Sequence, residues 1–171
     1  MISKKWLALG FVMCFVGVNA GSSFGAAPRK IVGSKAAEFT LKDTAGTTVT
    51  LSELKGKVVF LDFWATWCPP CRQSIPKVEE LAQRFKDDKV MVIGINVENN
   101  PKAVEKFMRN KKLGYTVLIG DEKVARDYRI SGIPAFFILD KDGMILKKYE
   151  GFYPGMETEW EKVITQALSA K

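Results

Sequence analysis

The chain has 171 residues, of which 47% are hydrophobic and 26% are charged, so it is long enough to bury one domain core and has an ordinary globular composition. Lysine and arginine outnumber aspartate and glutamate by 26 to 19, but the basic residues are spread along the chain with acidic residues between them. The absence of a basic stripe with interleaved aromatics argues against nucleic acid as a partner. No run of 18 apolar residues occurs, so a conventional membrane span is not predicted.

The N-terminus has the pattern of a secretory signal. MISKK is a short basic segment, residues 6–18 are apolar, and the VNA that ends at Ala20 offers small or aliphatic residues where a signal peptidase reads. We therefore predict a signal peptide over residues 1–20, a linker over 21–30, and a periplasmic or otherwise extracytoplasmic protein. The alternative is an uncleaved segment that anchors the protein to the membrane, because the apolar run can be extended to Ala27.

Strand and helix patterns alternate after the linker. Continuous apolar runs predict strands buried on both faces, and apolar residues three or four apart predict amphipathic helices. The predicted elements, in chain order, are a hairpin at 39–51, a helical turn at 52–57 capped by Ser52, a strand at 57–65, a helix at 71–85, a strand at 90–97, a helix at 101–114, a strand at 115–120, a short helix at 121–130, two strands within 133–151 and a helix at 156–170. This order predicts one α/β domain over residues 31–171, with a central mixed β-sheet flanked by helices.

Two cysteines lie where the predicted strand at 57–65 runs into the helix at 71–85. Removal of the signal peptide, which holds the third cysteine, leaves only Cys68 and Cys71, and the sequence contains no histidine. A zinc site or an iron–sulfur cluster needs four ligands, so no metal site is predicted. A disulfide across so short a loop adds little stability, which leaves a redox pair in a compartment outside the cytosol as the interpretation.

The start of a helix is a favourable place for a thiolate. Its first turn presents unpaired backbone N–H groups and the positive end of the helix dipole to the first sulfur. Pro69 and Pro70 fit this turn, because their missing N–H groups cost little there. They also remove two potential donors to the sulfur of Cys68.

Three motifs resemble the thioredoxin superfamily, and more narrowly its TlpA/ResA-type thiol–disulfide oxidoreductases: DFWATWCPPC at 62–71, GIP at 132–134, and the hairpin sequence FFILDKDGMILKKYEG. The resemblance covers nearly the whole chain after the signal, including an N-terminal hairpin and a helix–strand insert at about 101–120 that plain thioredoxins lack. It implies a thioredoxin-like fold and dithiol–disulfide exchange on protein disulfides. It implies no cofactor besides the redox-active disulfide between Cys68 and Cys71.

The resemblance also implies a role for each residue of the site. Cys68 would be the exposed nucleophile, Cys71 the buried thiol that resolves the mixed disulfide, and Pro134 a cis-proline that faces them. Asp62 would be a buried carboxylate that takes the proton from Cys71. The residues expected to contact the substrate are Trp67, Pro69, Pro70 and Ile133.

One departure from the family bears on the biological role. Members tied to cytochrome c maturation often carry a glutamate three residues after the second cysteine, where this chain has Ser74, which cannot do a carboxylate's proton chemistry. We therefore favour a reductase of protein disulfides, supplied with electrons by a membrane thiol relay protein of the DsbD/CcdA type, over a thiol reductant for cytochrome c maturation. A disulfide-introducing oxidase is the main alternative, because a compact CPPC can also form a strained, oxidising pair. The direction depends on the difference in potential from the partner, and 30 mV corresponds to only about 1.4 kcal/mol.

Two further alternatives have less support. A peroxidase of the peroxiredoxin type shares the fold but would need threonine or serine at the position of Ala65, three residues before the first cysteine. A non-catalytic binding module or chaperone would have no need for the intact cysteine pair together with Asp62 and Pro134.

Overall fold

A seven-stranded mixed sheet forms the centre of the protein in a computed structural model, which describes residues 30–86, 89–98 and 100–170. The elements, in chain order, are β1 (Thr40–Asp43), β2 (Thr48–Thr50), a 3-10 turn (Leu51–Leu54), β3 (Val58–Trp64), α1 (Pro69–Arg84), β4 (Val90–Asn96), α2 (Pro101–Lys111), β5 (Thr116–Ile119), α3 (Glu122–Asp127), β6 (Ala135–Leu139), β7 (Ile145–Glu150) and α4 (Met156–Ser169). The strand order is β2-β1-β5-β4-β3-β6-β7, with β3, β4 and β5 parallel and the other neighbours antiparallel. The predicted α/β architecture is confirmed.

The central strand β3 carries the site and divides the core in two. All seven of its residues are buried, as its continuous apolar run predicts, and it pairs in parallel with β4 and antiparallel with β6. Phe60 and Trp64 point towards α1, α2 and α4, whereas Leu61 and Phe63 point towards α3. We call these two sides of the sheet the α1 face and the α3 face. By the same alternation Asp62 lies on the α1 face.

Several boundaries differ from the sequence prediction by a few residues, and two of these differences have a clear physical reason. The helical turn after the first hairpin begins at Leu51 with Thr50 as its N-cap, and no side chain caps it, so the assignment of Ser52 as the cap is wrong. The reason is that buried Leu51 leads directly out of β2, its N–H donating to the carbonyl of Phe39. Helix α2 ends at Lys111 rather than close to Gly114, because Lys112 takes a left-handed conformation with φ of 53°.

The N-terminal predictions lie beyond the part of the chain that the structure covers. The proposed signal peptide over residues 1–20 and all of the linker except Lys30 are outside the described residues. Within residues 30–86, 89–98 and 100–170, no helix has the length and apolarity needed to cross a membrane.

Candidate active site

Cys68 and Cys71 form a disulfide at the start of α1, with their Cα atoms 5.3 Å apart. Cys68 is the N-cap residue of the helix, and Pro69 and Pro70 occupy its first two positions without N–H groups to offer. The N–H of Cys71 is therefore the first backbone donor of the helix, and it donates to Cys68 Sγ over 3.2 Å. This bond and the helix dipole would stabilise a thiolate on Cys68 after reduction.

Both cysteines are buried, but Cys68 less completely than Cys71. Cys68 is 3% exposed and Cys71 is completely buried, so the expectation of an exposed Cys68 is wrong in degree although the order of the two is as expected. The physical reason is the loop before β6, which covers the pair: the carbonyl oxygen of Ile133 lies 3.7 Å from Cys68 Sγ. A disulfide sulfur has no proton to donate, so in this oxidised state the approach is a packing contact.

The loop before β6 supplies Ile133 and Pro134. Their peptide bond is cis, Pro134 is buried, and its carbonyl accepts a hydrogen bond of 2.8 Å from the N–H of Gly151 at the end of β7. Ile133 is half-buried and the two residues before it are exposed. The loop is thereby fixed beside the disulfide with its outer edge open to solvent.

Trp67 is exposed immediately before the disulfide. Two thirds of its surface, 66%, is accessible, which is unusual for a tryptophan and is typical of a contact surface. Together with Ile133 it lines a groove of about 740 Å³ whose far wall is Val97, Gly120 and the start of α3. Pro69 and Pro70, which follow Cys68 in the chain, are exposed as well. The structure thus brings all four predicted substrate-contacting residues to the surface around Cys68.

Glu98 holds the loop that carries Trp67, and sequence reasoning missed it. Its two carboxylate oxygens accept hydrogen bonds from the backbone N–H of Thr66, over 2.6 Å, and from the Thr66 hydroxyl, over 3.0 Å. The two residues are 32 positions apart and meet only because β3 and β4 end side by side, so no local pattern could have revealed the contact.

Asp62 is completely buried on the α1 face, the same side of the sheet as Cys71, as the resemblance implied. Desolvation raises the pKa of its carboxyl to about 8. Among the described residues, neither carboxyl oxygen has a hydrogen-bond partner. The side chain therefore does not face water.

Ser74 is buried one turn into α1, and its hydroxyl is already engaged. It donates a hydrogen bond of 2.9 Å to the carbonyl of Cys71 in the same helix. The position that carries a glutamate in some relatives therefore holds a hydroxyl that bonds to the helix backbone.

A metal site would need several acidic, histidine or cysteine side chains close together. Among the residues that the structure describes, no three acidic, histidine or cysteine side chains come together as a potential metal site. That the disulfide is the protein's only redox group stays a prediction.

Comparison with known proteins agrees with this geometry. Residues 32–148 match the profile of the AhpC/TSA family. The thioredoxin-like protein YneN of Bacillus subtilis is 34% identical over 163 residues, covering 91% of this chain and 95% of that protein. The thiol-disulfide oxidoreductase ResA of the same organism is 37% identical over 120 residues, covering 70% of this chain and 67% of ResA.

The fold matches solved structures equally well. A Chlorobium tepidum protein assigned as the thiol:disulfide interchange protein DsbE superposes with a TM-score of 0.72 and 32% identity, covering 81% of this chain and 98% of that one. The predicted resemblance to thioredoxin-like oxidoreductases is confirmed. The chain belongs to the AhpC/TSA family and is one of its thioredoxin-fold thiol–disulfide oxidoreductases.

Proposed function

We propose that the protein is an extracytoplasmic reductase of protein disulfides that works by two-cysteine exchange. One observation carries the mechanism: Cys68, the slightly exposed N-cap residue of α1, is bonded through its sulfur to Cys71, which is completely buried. The first can meet a protein substrate and the second can act only from inside. Relatives named thiol-disulfide oxidoreductases support the same chemistry.

The reaction uses the two thiols of the reduced protein. The Cys68 thiolate attacks one sulfur of a substrate disulfide, so that a mixed disulfide forms and the other substrate sulfur leaves as a thiolate. Cys71 then loses its proton and attacks Cys68 Sγ, which closes the internal disulfide and expels the second substrate thiol. Two electrons pass to the substrate, and a dithiol donor must restore the protein. We assign that step to a membrane thiol relay of the DsbD/CcdA type.

Asp62 is the proton acceptor for Cys71 in this proposal. A carboxyl with a pKa of about 8 is about one-tenth ionised at pH 7, so it can take a proton and give it back near neutral pH. Its unpartnered oxygens leave it free to do so. It acts on the buried thiol because both lie on the α1 face of the sheet.

The groove beside Trp67 is the proposed place for the substrate chain. The carbonyl of Ile133, which lies close to Cys68 Sγ, can accept a hydrogen bond from a substrate backbone N–H. Trp67 offers a large apolar surface to the residues next to the substrate cysteine. Exposed Pro69 and Pro70 follow Cys68 directly in the chain.

The direction of electron flow follows from how well the reduced state is stabilised. A pair becomes a strong oxidant when its reduced form is stabilised, as by several donors to the thiolate. Here Pro69 and Pro70 leave the Cys71 N–H as the one donor to Cys68 Sγ from the first helical turn. This limited stabilisation favours a reductase over an oxidase. Ser74, whose hydroxyl donates to the Cys71 carbonyl, gives no support for a role in cytochrome c maturation.

The reduction potential of the Cys68–Cys71 couple, measured by equilibration with glutathione, tests the direction. We expect a value closer to the roughly −270 mV of thioredoxin than to the roughly −120 mV of DsbA. Insulin should be reduced by the wild type and not by Cys68→Ser. A potential near −120 mV, with faster oxidation of reduced substrates than reduction of insulin, would make the protein an oxidase.

The extracytoplasmic location is tested separately, on the native protein from its own cells. Mass spectrometry should find an N-terminus near residue 21 in a protein released from outside the cytoplasmic membrane. An intact N-terminus in the membrane fraction would favour an anchor, and an intact one in the cytosol would refute the location.

A further inference from the structure

Two aromatic side chains crowd the space above Gly94, beside Asp62. In the strand register Gly94 of β4 lies beside Asp62 of β3 and beside Val117 of β5, and neighbouring strands are about 4.8 Å apart. A Cβ atom at Gly94 would lie 2.9 Å from Trp64 Nε1 and 3.0 Å from Tyr115 Cε2. The indole of Trp64 and the ring of Tyr115 therefore meet over this glycine, next to the Asp62 side chain. Any larger residue at position 94 would push them apart.

The polar atoms around Gly94 are chemically complementary. Within the described residues, the carboxyl oxygens of Asp62, the indole Nε1 of Trp64 and the hydroxyl of Tyr115 are all buried without a hydrogen-bond partner. Two of these groups are donors, and a carboxylate is an acceptor for several bonds. Unpaired polar groups in a core are costly, so their collection around one glycine calls for a functional reason.

Tyr115 keeps the proton that such a bond requires. Its residue is 6% exposed, and burial, followed by the nearby charges of Asp62 and Glu79, raises the pKa of its phenol well above the ordinary value. The hydroxyl is thus a donor throughout the range in which Asp62 changes its charge.

We propose that Tyr115 is a positioning residue for Asp62: across the space above Gly94, its hydroxyl donates a hydrogen bond to the Asp62 carboxylate once that group has lost its proton, with Trp64 Nε1–H as the second donor. The protonated carboxyl has less need of these donors. The bond therefore lowers the cost of the ionised form and shifts the pKa of Asp62 from the value set by burial towards neutral pH. The catalytic consequence rests on the proposed function, whereas the hydrogen bond itself does not.

The surroundings leave few other groups that could stabilise this charge. Helix α1 contributes Cys71 and, beyond the Tyr115 ring, Glu79, whose carboxylate accepts a 2.8 Å bond from the N–H of Gly114. The neighbour on β6 is Phe136, against which α4 packs Trp160, and neither side chain ionises. In the part of the chain that the structure describes, no cation pairs with Asp62.

The direct test is the pH titration of Asp62 in the oxidised Tyr115→Phe protein. The titration is monitored by NMR of the aspartate carboxyl carbon. Loss of a hydrogen bond to the ionised form should raise the pKa of Asp62 by about one pH unit. The matched control is Tyr128→Phe, which removes a buried hydroxyl on the α3 face and should leave Asp62 unchanged. An unchanged pKa in Tyr115→Phe, or an equal rise in both variants, would overturn the proposal.

A second variant covers the case in which Tyr115→Phe rearranges the core. Gly94→Ala keeps the hydroxyl but places a methyl group 2.9 Å from Trp64 Nε1 and 3.0 Å from Tyr115 Cε2, so that the two rings must shift from the positions that the proposed bond requires. It should also raise the pKa of Asp62, and an unchanged or lowered value would contradict the proposed geometry.

Kinetics then separate this inference from the proposed function. If Asp62 accepts the proton of Cys71, the pH midpoint of the resolving step should move up in Tyr115→Phe by the same amount as the titration, and Tyr115→Phe should have no effect in an Asp62→Asn background. If Asp62→Asn reacts as fast as wild type, the proton-transfer role fails, but the NMR titration still decides whether Tyr115 bonds to Asp62.

Discussion

The two faces of the sheet differ in whether their buried polar side-chain atoms have hydrogen-bond partners. On the α3 face, Tyr128 is completely buried, its hydroxyl donates a hydrogen bond of 2.9 Å to the carbonyl of Ala37, and its ring packs against Phe63 and Phe137. On the α1 face, polar side-chain atoms are buried without partners. All those found among the described residues belong to this face, namely the ones on Asp62, Trp64, Tyr115 and Trp160.

The two faces therefore differ in the contribution that their buried polar groups make to stability. A satisfied buried hydroxyl contributes about 1 kcal/mol, whereas an unsatisfied polar group costs about 1–3 kcal/mol. The α3 face follows the rule that buried polar groups are paired. The α1 face violates it at several side chains, and the proton transfer that we propose for Asp62 gives one of them a functional reason.

The largest expected effect comes from the cysteines themselves. Cys68→Ser should abolish disulfide reduction, and Cys71→Ser should trap substrates as covalent adducts, because the attack by Cys68 survives while resolution does not. Non-reducing gels of both variants after incubation with a disulfide substrate give the answer. Adducts that are sensitive to dithiothreitol with Cys68→Ser but not with Cys71→Ser would reverse the two assignments.

The next largest effect is the pH dependence that buried Asp62 gives to the free energy of unfolding. Its folded pKa of about 8 exceeds the ordinary value of 3.8, so its contribution to stability is greatest below pH 4 and is lost as the pH rises to about 8, by up to about 1.4 kcal/mol per pH unit. Asp62→Asn has no such loss. We therefore expect the free energy of unfolding of Asp62→Asn, relative to that of the wild type, to increase by a few kcal/mol between pH 5 and pH 8.

Urea unfolding of the two oxidised proteins at several pH values measures this gain. The control is Asp142→Asn, because this aspartate is exposed in the turn between β6 and β7. The change with pH should be larger for Asp62→Asn than for this control. A change for Asp62→Asn no larger than that of the control would mean that the buried carboxyl titrates like any other.

A pair of tyrosine variants gives the smallest effect and the cleanest contrast between the faces. At pH 6, Tyr128→Phe should lower the free energy of unfolding by about 1–2 kcal/mol, since it leaves the Ala37 carbonyl without its donor. Tyr115→Phe should leave it unchanged or raise it, since the variant removes a buried hydroxyl that has no partner while Asp62 is protonated. Equal losses would show that Tyr115 is satisfied after all, and the contrast would disappear.

Much of this architecture can be predicted from the sequence because it depends on local patterns. The apolar run of β3, the prolines at the start of α1 and the turn between β6 and β7 each predict an element that the structure contains. The two sulfurs and buried Asp62 follow from one continuous motif, DFWATWCPPC. These features need no knowledge of how distant segments meet.

The features that the sequence left unpredicted depend on distant segments. Gly94 meets Tyr115 and Asp62 through the register of three parallel strands joined by long crossovers, which periodicity does not determine. The same holds for the covering of Cys68 by Ile133, 65 residues away, which made the expectation of an exposed sulfur wrong in degree. Sequence reasoning thus predicted which cysteines pair and that Asp62 is buried, but not the side chains that surround them.

The central claim is that the buried carboxyl of Asp62 takes the proton of Cys71, and the resolving step of the reaction tests it most directly. Stopped-flow reduction of a disulfide substrate by the wild type and by Asp62→Asn, between pH 6 and pH 10, isolates that step. We expect the variant to be about 10²-fold slower at pH 7, with the gap closing towards pH 10, where Cys71 ionises without help. Equal rates at every pH would contradict the claim and leave Asp62 without a part in the chemistry.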